Sequence, residues 1–228
     1  MNIVDTGSKF ILRIDNALDD KICDEIRSFA ENSPTFLNCV GNMPESKILS
    51  FGSEIYTFNN KISRTISAYK FMLSQIIYKY FDKIVYPDST EMMYFFPGAN
   101  LGWHPDSHPF DVDSTPPIPN TQYHRTISTV FYINDDYGGG ETVIRTEPWT
   151  DDFIRKVKQT NPKNLNEAAY NLGHEISIDS EYVSKPKKGS VIIFDSRCYH
   201  KANPNWGNRI TLPTWFGEDP RVCEFFKN

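Results

Sequence analysis

Two histidines and one aspartate alternate in the stretch GWHPDSHP, residues 102–109. In an extended chain, His104, Asp106 and His108 would share one face, where their imidazole and carboxylate groups converge. Such groups bind metal ions, but an isolated trio of this kind also fits a polar surface turn. A complete metal site therefore needs a further ligand from elsewhere in the chain.

His200 is a candidate for the further ligand, and it lies just past an apolar strand pattern that ends at Phe194. Two imidazoles and one carboxylate leave three adjacent positions of six-coordinate iron(II) open to a co-substrate and dioxygen. Arg209 comes nine residues after His200, and its planar fork matches a carboxylate. Thr211 lies on the same strand face and can reach the same carboxylate. The pattern favours iron with a dicarboxylic co-substrate, although Arg209 alone also fits an ordinary ion pair.

Four motifs occur in order along the chain: HPD, TVFYINDDYGGGET, KPKKGSVIIFDSRCYH and GNRITLPTW. Together they resemble the iron(II)- and 2-oxoglutarate-dependent dioxygenases, particularly the prolyl 4-hydroxylase-like group, over residues 90–216. The resemblance implies a double-stranded β-helix (jelly-roll or cupin-like) core. It also implies iron(II), 2-oxoglutarate and dioxygen, with ascorbate as an accessory reductant. The intact HPD motif points to hydroxylation, because halogenating relatives replace that carboxylate with a small residue.

The resemblance assigns roles to two sets of residues. It implies that the iron ligands are His104, Asp106 and His200. It implies that the co-substrate-binding residues are Arg209, Thr211, Tyr132 and Tyr94.

Some of these assignments have alternatives. Phe95 is the alternative to Tyr94, because neighbouring strand residues face opposite sides. Arg125 and Trp215 are expected to contact substrate near the cavity mouth, but Trp215 and Tyr132 also fit a core role. Three histidines without a counterpart in the motifs are expected outside the site: His108, His124 and His174.

The elements that must position these residues are mainly β-strands with supporting α-helices. Apolar periodicity predicts a strand over 9–15 and helices over 18–32 and 60–81. After Pro87, short β-prone runs separated by turns are typical of a sandwich or barrel. These runs are 89–96, 125–135, 140–145, 174–178, 189–196 and 209–216.

The absence of a repeat or linker indicates a single oxygenase domain over 1–228. Its N-terminal strand and helices occupy 1–88, and the β-helix core occupies 89–216. Two insertions, a Pro-rich acidic loop at 111–120 and a mostly helical stretch at 147–172, fit either lids over the site or surface loops.

Composition limits the class of partner. The net charge is −5 and no block of Lys or Arg occurs, which disfavours nucleic acid. Four scattered cysteines, with no signal-peptide or transmembrane pattern, predict reduced thiols in a cytoplasmic protein that does not enter a membrane. The sequence does not fix the oligomeric state.

The sequence thus predicts an oxygenase that hydroxylates an unactivated C–H bond and releases succinate and carbon dioxide. A prolyl residue of a peptide or protein is the expected substrate. The alternatives are the same chemistry on a free amino acid or small metabolite, and a non-catalytic metal-binding or interaction module with the same barrel. A zinc or hydrolytic site would leave Arg209 without a role.

Overall fold

The computed structural model describes residues 1–33, 47–51, 60–107, 124–160 and 180–221. Three helices occur in these ranges: α1 (Asp20–Glu31), α2 (Asn60–Phe81) and α3 (Asp151–Thr160). The strands are β1 (Asn2–Val4), β2 (Ile11–Asp15), β3 (Ile48–Phe51), β4 (Tyr86–Thr90), β5 (Met92–Phe95), β6 (Leu101–His104), β7 (Arg125–Tyr132), β8 (Thr142–Arg145), β9 (Glu181–Ser184), β10 (Val191–Asp195), β11 (His200–Ala202) and β12 (Arg209–Gly217).

The strands form two antiparallel sheets. The major sheet has the order β1-β2-β10-β7-β12-β5-β3, with β4 paired to β12, and the minor sheet has the order β6-β11-β8-β9. Many neighbouring strands in these sheets are distant in sequence, as the pairing of β10 with both β2 and β7 illustrates. This arrangement is the predicted double-stranded β-helix, so the predicted fold class is confirmed.

The helices α1 and α2 support the major sheet. Helix α1 begins after Asp19, whose carboxylate accepts a hydrogen bond from the Lys21 backbone N–H 2.8 Å away, a cap worth about 1 kcal/mol. Both helices bury one apolar stripe against one face of the major sheet. The stripes contribute Cys23, Ile26, Ala30, Ile62, Ile66, Leu73 and Ile77. Because this core covers one sheet face, alternate strand residues are left to face the minor sheet.

Several strands differ from the sequence-based expectation. The run 89–96 was predicted as one strand but is divided into β4 and β5 at Glu91, and both halves pair with β12. Five short strands (β1, β3, β6, β9 and β11) were not predicted, because three to four residues are too few for a clear period. The predicted strand 174–178, the loop 111–120, His108 and His174 lie outside the described residues. Of the predicted helical insertion 147–172, the described part contains α3.

None of the helices in the described ranges combines the length and apolar character that crossing a membrane requires.

Candidate metal centre and co-substrate cavity

The pairing of β6 with β11 brings the two predicted histidine ligands together. His200 lies directly opposite His104 in the minor sheet, and Asp106 follows in the turn after β6. The backbone N–H of Asp106 fixes this turn by donating to the Ser196 carbonyl 2.9 Å away. One ligand atom from each of His104, Asp106 and His200 lies within 4.8 Å of the other two. The structure therefore places all three sequence-predicted ligands at one point.

Hydrogen bonds orient both imidazoles towards Asp106. Nδ1 of His104 lies 2.7 Å from the Gly102 carbonyl oxygen, and Nδ1 of His200 lies 3.2 Å from the Cys198 carbonyl oxygen. A carbonyl oxygen only accepts, so Nδ1 donates in each of these hydrogen bonds and Nε2 is the ring nitrogen left to bind a metal. These Nε2 atoms lie 4.0 Å (His104) and 3.5 Å (His200) from Asp106 oxygens. Two ring nitrogens and a carboxylate that face one another form a group that could hold a metal ion.

Electrostatics keep the ligands in the metal-binding form. Burial alone would raise the pKa of Asp106, but charge interactions with His200 and His104 lower it below its usual value. Hydrogen bonds from Ser128 and Trp215 contribute to the same lowering of the Asp106 pKa. Burial lowers the pKa of His200 to about 4, against the opposing effect of Asp106. At neutral pH the site thus has an ionised carboxylate and a neutral His200 imidazole, so a metal displaces no proton from them.

Arg209 lies buried in the cavity beside the metal ligands, with 2% of its surface exposed. Its guanidinium carbon is 4.4 Å from the centre of the Phe95 ring, and Nη2 donates to the Thr142 hydroxyl at 3.3 Å. The Tyr132 hydroxyl donates to the same Thr142 oxygen at 2.7 Å. Arg209 forms no ion pair with a described carboxylate, and its Nε has no hydrogen-bond partner among the described residues. A buried guanidinium in this state calls for an anionic ligand.

Tyr94 does not contribute to this cavity, so the prediction that it contacts the co-substrate is wrong. Across β5 and β12, Tyr94 lies opposite Ile210, whereas Phe95 lies opposite Arg209. Tyr94 and Ile210 belong to the apolar core under the helices, and Tyr94 packs on Phe96 with ring centres 5.1 Å apart. Because side chains alternate along a strand, the cavity receives the Phe95 ring instead of the Tyr94 hydroxyl.

Tyr137 was missed by the sequence analysis but packs against Arg209. A β-carbon added at Gly140, where φ is +69°, would lie 2.8 Å from Cε2 of Tyr137 and 3.0 Å from Cδ of Arg209. Burial raises the pKa of Tyr137, while the charge of Arg209 and a hydrogen bond with its side chain act in the opposite direction. A tyrosine beside three glycines in DDYGGG was the available signal.

Arg125 and Trp215 form one wall of the cavity mouth. The Arg125 guanidinium stacks on the Trp215 ring at 4.2 Å. It is held there by Asp88, 3.2 Å from Nε, and by the Ser89 hydroxyl, 3.1 Å from Nη2. The other carboxylate oxygen of Asp88 lies 3.3 Å from Nε2 of His124. Arg125 and Trp215 therefore present a rigid aromatic and cationic surface next to the metal ligands.

The cavity beside the metal ligands has a volume of about 260 Å³, and its lining does not include Tyr132 or Tyr94. Its lining includes His104, Asp106, His200, Arg209, Thr211, Arg125 and Trp215. A larger cavity of about 370 Å³ lies beside α3 and contains none of the predicted site residues. The volume near the metal ligands is small for a ligand pocket, so chemistry there is confined to a compact group.

The first residues of the 147–172 insertion contact the two segments that carry the candidate metal ligands. The Trp149 indole N–H donates to the carbonyl of Ser107, 3.2 Å away and next to Asp106. The Phe153 ring on α3 packs edge-on against Tyr199, with ring centres 5.6 Å apart. The described part of the insertion thus supports both segments that carry metal ligands.

Comparisons with known proteins agree with this geometry. A family model described as the 2OG-Fe(II) oxygenase superfamily matches residues 91–217. No curated protein matches the chain significantly.

Solved structures share the fold at low identity. A viral collagen prolyl hydroxylase from Paramecium bursaria Chlorella virus-1, in complex with 2-oxoglutarate, is 17% identical, with a TM-score of 0.53 over 94% of this chain and 98% of that chain. A prolyl hydroxylase from Trichoplax adhaerens, in complex with a hypoxia-inducible-factor peptide, is 12% identical, with a TM-score of 0.62 over 93% and 85%. An α-ketoglutarate-dependent carbocyclase from nogalamycin biosynthesis is 12% identical, with a TM-score of 0.63 over 93% and 81%.

Proposed function

Because this chain belongs to the 2OG-Fe(II) oxygenase superfamily, we propose that it is a 2-oxoglutarate-dependent dioxygenase that hydroxylates a prolyl residue of a peptide or protein. His104, Asp106 and His200 can bind iron. The observation that carries the proposal is that one cavity contains both this three-ligand set and the buried Arg209, which has no ion pair with a described residue. The two features match the two ends of a metal-chelating dicarboxylate.

Each residue of the site has a proposed task. His104, Asp106 and His200 would hold iron(II). Arg209 binds the distal carboxylate of 2-oxoglutarate, with the hydroxyls of Thr211 and Tyr132 completing that end. When bound, the iron and co-substrate supply the oxidising chemistry, which uses dioxygen and yields succinate and carbon dioxide. The protein supplies orientation and a cavity from which most water is excluded.

Three observations support a prolyl side chain over a larger substrate. The cavity of about 260 Å³ must also accommodate the co-substrate, which favours a compact group beside the metal ligands. The stacked Arg125 and Trp215 provide a flat wall at the mouth. Two of the structurally similar proteins are prolyl hydroxylases.

A free amino acid or small metabolite is the alternative substrate, since the same fold occurs in a carbocyclase. The non-catalytic alternative is less well supported, because a chain without activity has no need to retain all three ligands and Arg209. We also propose that residues 1–228 form one oxygenase domain. This extends the observation that β1 and β2 complete the same sheet that carries Arg209.

The direct test is turnover of the iron-loaded protein with 2-oxoglutarate, dioxygen and a library of proline-containing peptides. We expect succinate to form faster with a suitable peptide, and the peptide to gain one oxygen atom on proline by mass spectrometry. Succinate that increases with a free amino acid or metabolite but with no peptide would replace the prolyl proposal by its alternative. No succinate above an iron-free control would contradict oxygenase activity.

A further inference from the structure

We propose that Trp149 is a positioning residue for the metal centre. Its two N–H groups join the two chain segments that carry the metal ligands and thereby hold the Asp106 carboxylate in place. This inference rests on the proposed metal site and adds a residue of the 147–172 insertion, which lies outside the four sequence motifs. It also gives a task to the beginning of that insertion, for which the sequence left open a lid or a surface loop.

The first support is the way in which the turn after β6 is held. Strand β6 ends at His104, so Asp106 depends on this turn for its position. The backbone N–H groups of Asp106 and Ser107 both donate to the Ser196 carbonyl, at 2.9 and 3.0 Å. The Ser107 carbonyl accepts a hydrogen bond from the indole N–H of Trp149 at 3.2 Å. Three hydrogen bonds, one of them from Trp149, thus fix the turn that carries the Asp106 carboxylate.

The second support is that Trp149 is also bound to the segment that leads to His200. Its backbone N–H donates to the Arg197 carbonyl at 3.2 Å, and the Arg197 guanidinium carbon lies 5.9 Å from the centre of the indole ring. Arg197 is itself fixed, because its Nη2 lies 2.8 Å from a carboxylate oxygen of Asp195 at the end of β10. The indole N–H and the backbone N–H of Trp149 therefore connect the Asp106 turn to the segment before His200.

The third support is that the chain is anchored on both sides of Trp149. Before it, the backbone N–H of Arg145 donates to the Tyr199 carbonyl at 2.8 Å. After it, the Thr150 hydroxyl accepts from the backbone N–H of Phe153 at 3.3 Å, which caps the start of α3. The buried Phe153 ring packs edge-on against Tyr199, with ring centres 5.6 Å apart. Such contacts are typical of a fixed segment and not of a lid, because segments that open have few buried contacts.

The experiment uses zinc(II) as the probe, because zinc binds imidazole and carboxylate ligands and binds such sites more tightly than iron(II) does. The dissociation constant is measured at pH 7 by competition with a chromogenic chelator. The proteins compared are the wild type, Trp149→Phe, Asp106→Ala and the double variant. Trp149→Phe keeps an aromatic ring and the backbone N–H and removes the indole N–H. Trp206→Phe is the matched control, because Trp206 is 74% exposed.

We expect Trp149→Phe to weaken zinc(II) binding about ten-fold when Asp106 is present, as for other residues that orient a metal ligand. The same change should have no further effect in Asp106→Ala, because the indole acts through that carboxylate. Trp206→Phe should bind zinc(II) like the wild type. An equal loss in both backgrounds, or no loss in either, would overturn the role of Trp149. Failure of the wild type to bind zinc(II) would overturn the proposed metal site itself, which separates the two failures.

A measurement on the wild type tests the same proposal without any variant. If Trp149 favours the metal-binding arrangement, metal binding must in turn stabilise the Trp149 hydrogen bond, because the coupling is reciprocal. Zinc(II) should therefore slow hydrogen exchange of the Trp149 indole N–H, followed by NMR, and leave that of Trp206 unchanged. Unchanged exchange at Trp149 in the zinc-saturated protein would contradict the proposal.

Discussion

Replacing Arg209 by methionine should separate co-substrate binding from stability. Arg209 is 2% exposed as a residue, forms no ion pair with a described carboxylate, and donates from Nη2 to the Thr142 hydroxyl at 3.3 Å. Methionine retains much of the apolar stem and removes a buried charge that lacks a partner. Because such a charge is costly, we expect the ligand-free Arg209→Met protein to be within about 1 kcal/mol of the wild type, or more stable.

The same change should largely abolish 2-oxoglutarate binding. Two charge-assisted hydrogen bonds from the fork, at about 1.5–3 kcal/mol each, correspond to a loss of at least ~100-fold in affinity. At 100 times its dissociation constant, 2-oxoglutarate should stabilise the iron-loaded wild type by about 2.7 kcal/mol, or about 5–10 °C for a chain of this size. This increase should disappear in Arg209→Met.

Thermal unfolding of the iron-loaded protein, with and without 2-oxoglutarate, measures both effects. Arg221→Met is the matched control, because its side chain is 86% exposed and paired only with Asp219 among the described residues, so it should retain the full increase. A loss of several kcal/mol in ligand-free Arg209→Met, or an undiminished increase with 2-oxoglutarate, would refute the reasoning that Arg209 awaits an anionic ligand.

Three further predictions concern the metal and the cavity mouth. Asp106→Ala and His200→Ala should each abolish turnover and iron binding by removing a ligand, and full activity in either variant would disprove the ligand set. For the metal-free protein, the lowered pKa of His200, about 4, means that below about pH 6.5 the unfolded chain binds a proton that folded His200 does not. The free energy of unfolding should therefore fall by up to about 3 kcal/mol between pH 6.5 and 4, and His200→Gln should lessen the fall in urea titrations. Arg125→Ala should raise KM for a peptide substrate about ten-fold and leave 2-oxoglutarate binding unchanged, whereas equal weakening of both would place Arg125 at the co-substrate end.

The sequence was sufficient to predict which candidate metal ligands lie together and where the longer strands run. Imidazole, carboxylate and guanidinium groups bind few kinds of partner. The types and spacing of His104, Asp106, His200 and Arg209 therefore already indicated that these residues share one site. The apolar runs around β7, β10 and β12 are long enough for a clear pattern. Short strands such as β6 and β11 carry ligands and have too few apolar residues to be predicted.

Side-chain direction was harder to predict than strand position. In the run YFF, every residue is aromatic, so the sequence contains no alternation that distinguishes Tyr94 from Phe95, and a shift of one residue exchanges the two faces. Tyr137 lies in a connection whose course depends on positive φ angles at Gly139 and Gly140, where no helix or strand period applies. Its contact with Arg209 comes from long-range packing, which local sequence does not encode.

The most direct test of the iron and 2-oxoglutarate site is an anaerobic titration of the wild-type protein with iron(II) and then 2-oxoglutarate, monitored by visible absorbance. A charge-transfer band that requires both additions, and that is lost in Asp106→Ala, is the expected result. A folded protein that binds iron(II) but develops no band with saturating 2-oxoglutarate would contradict the assignment of this cavity to an oxygenase.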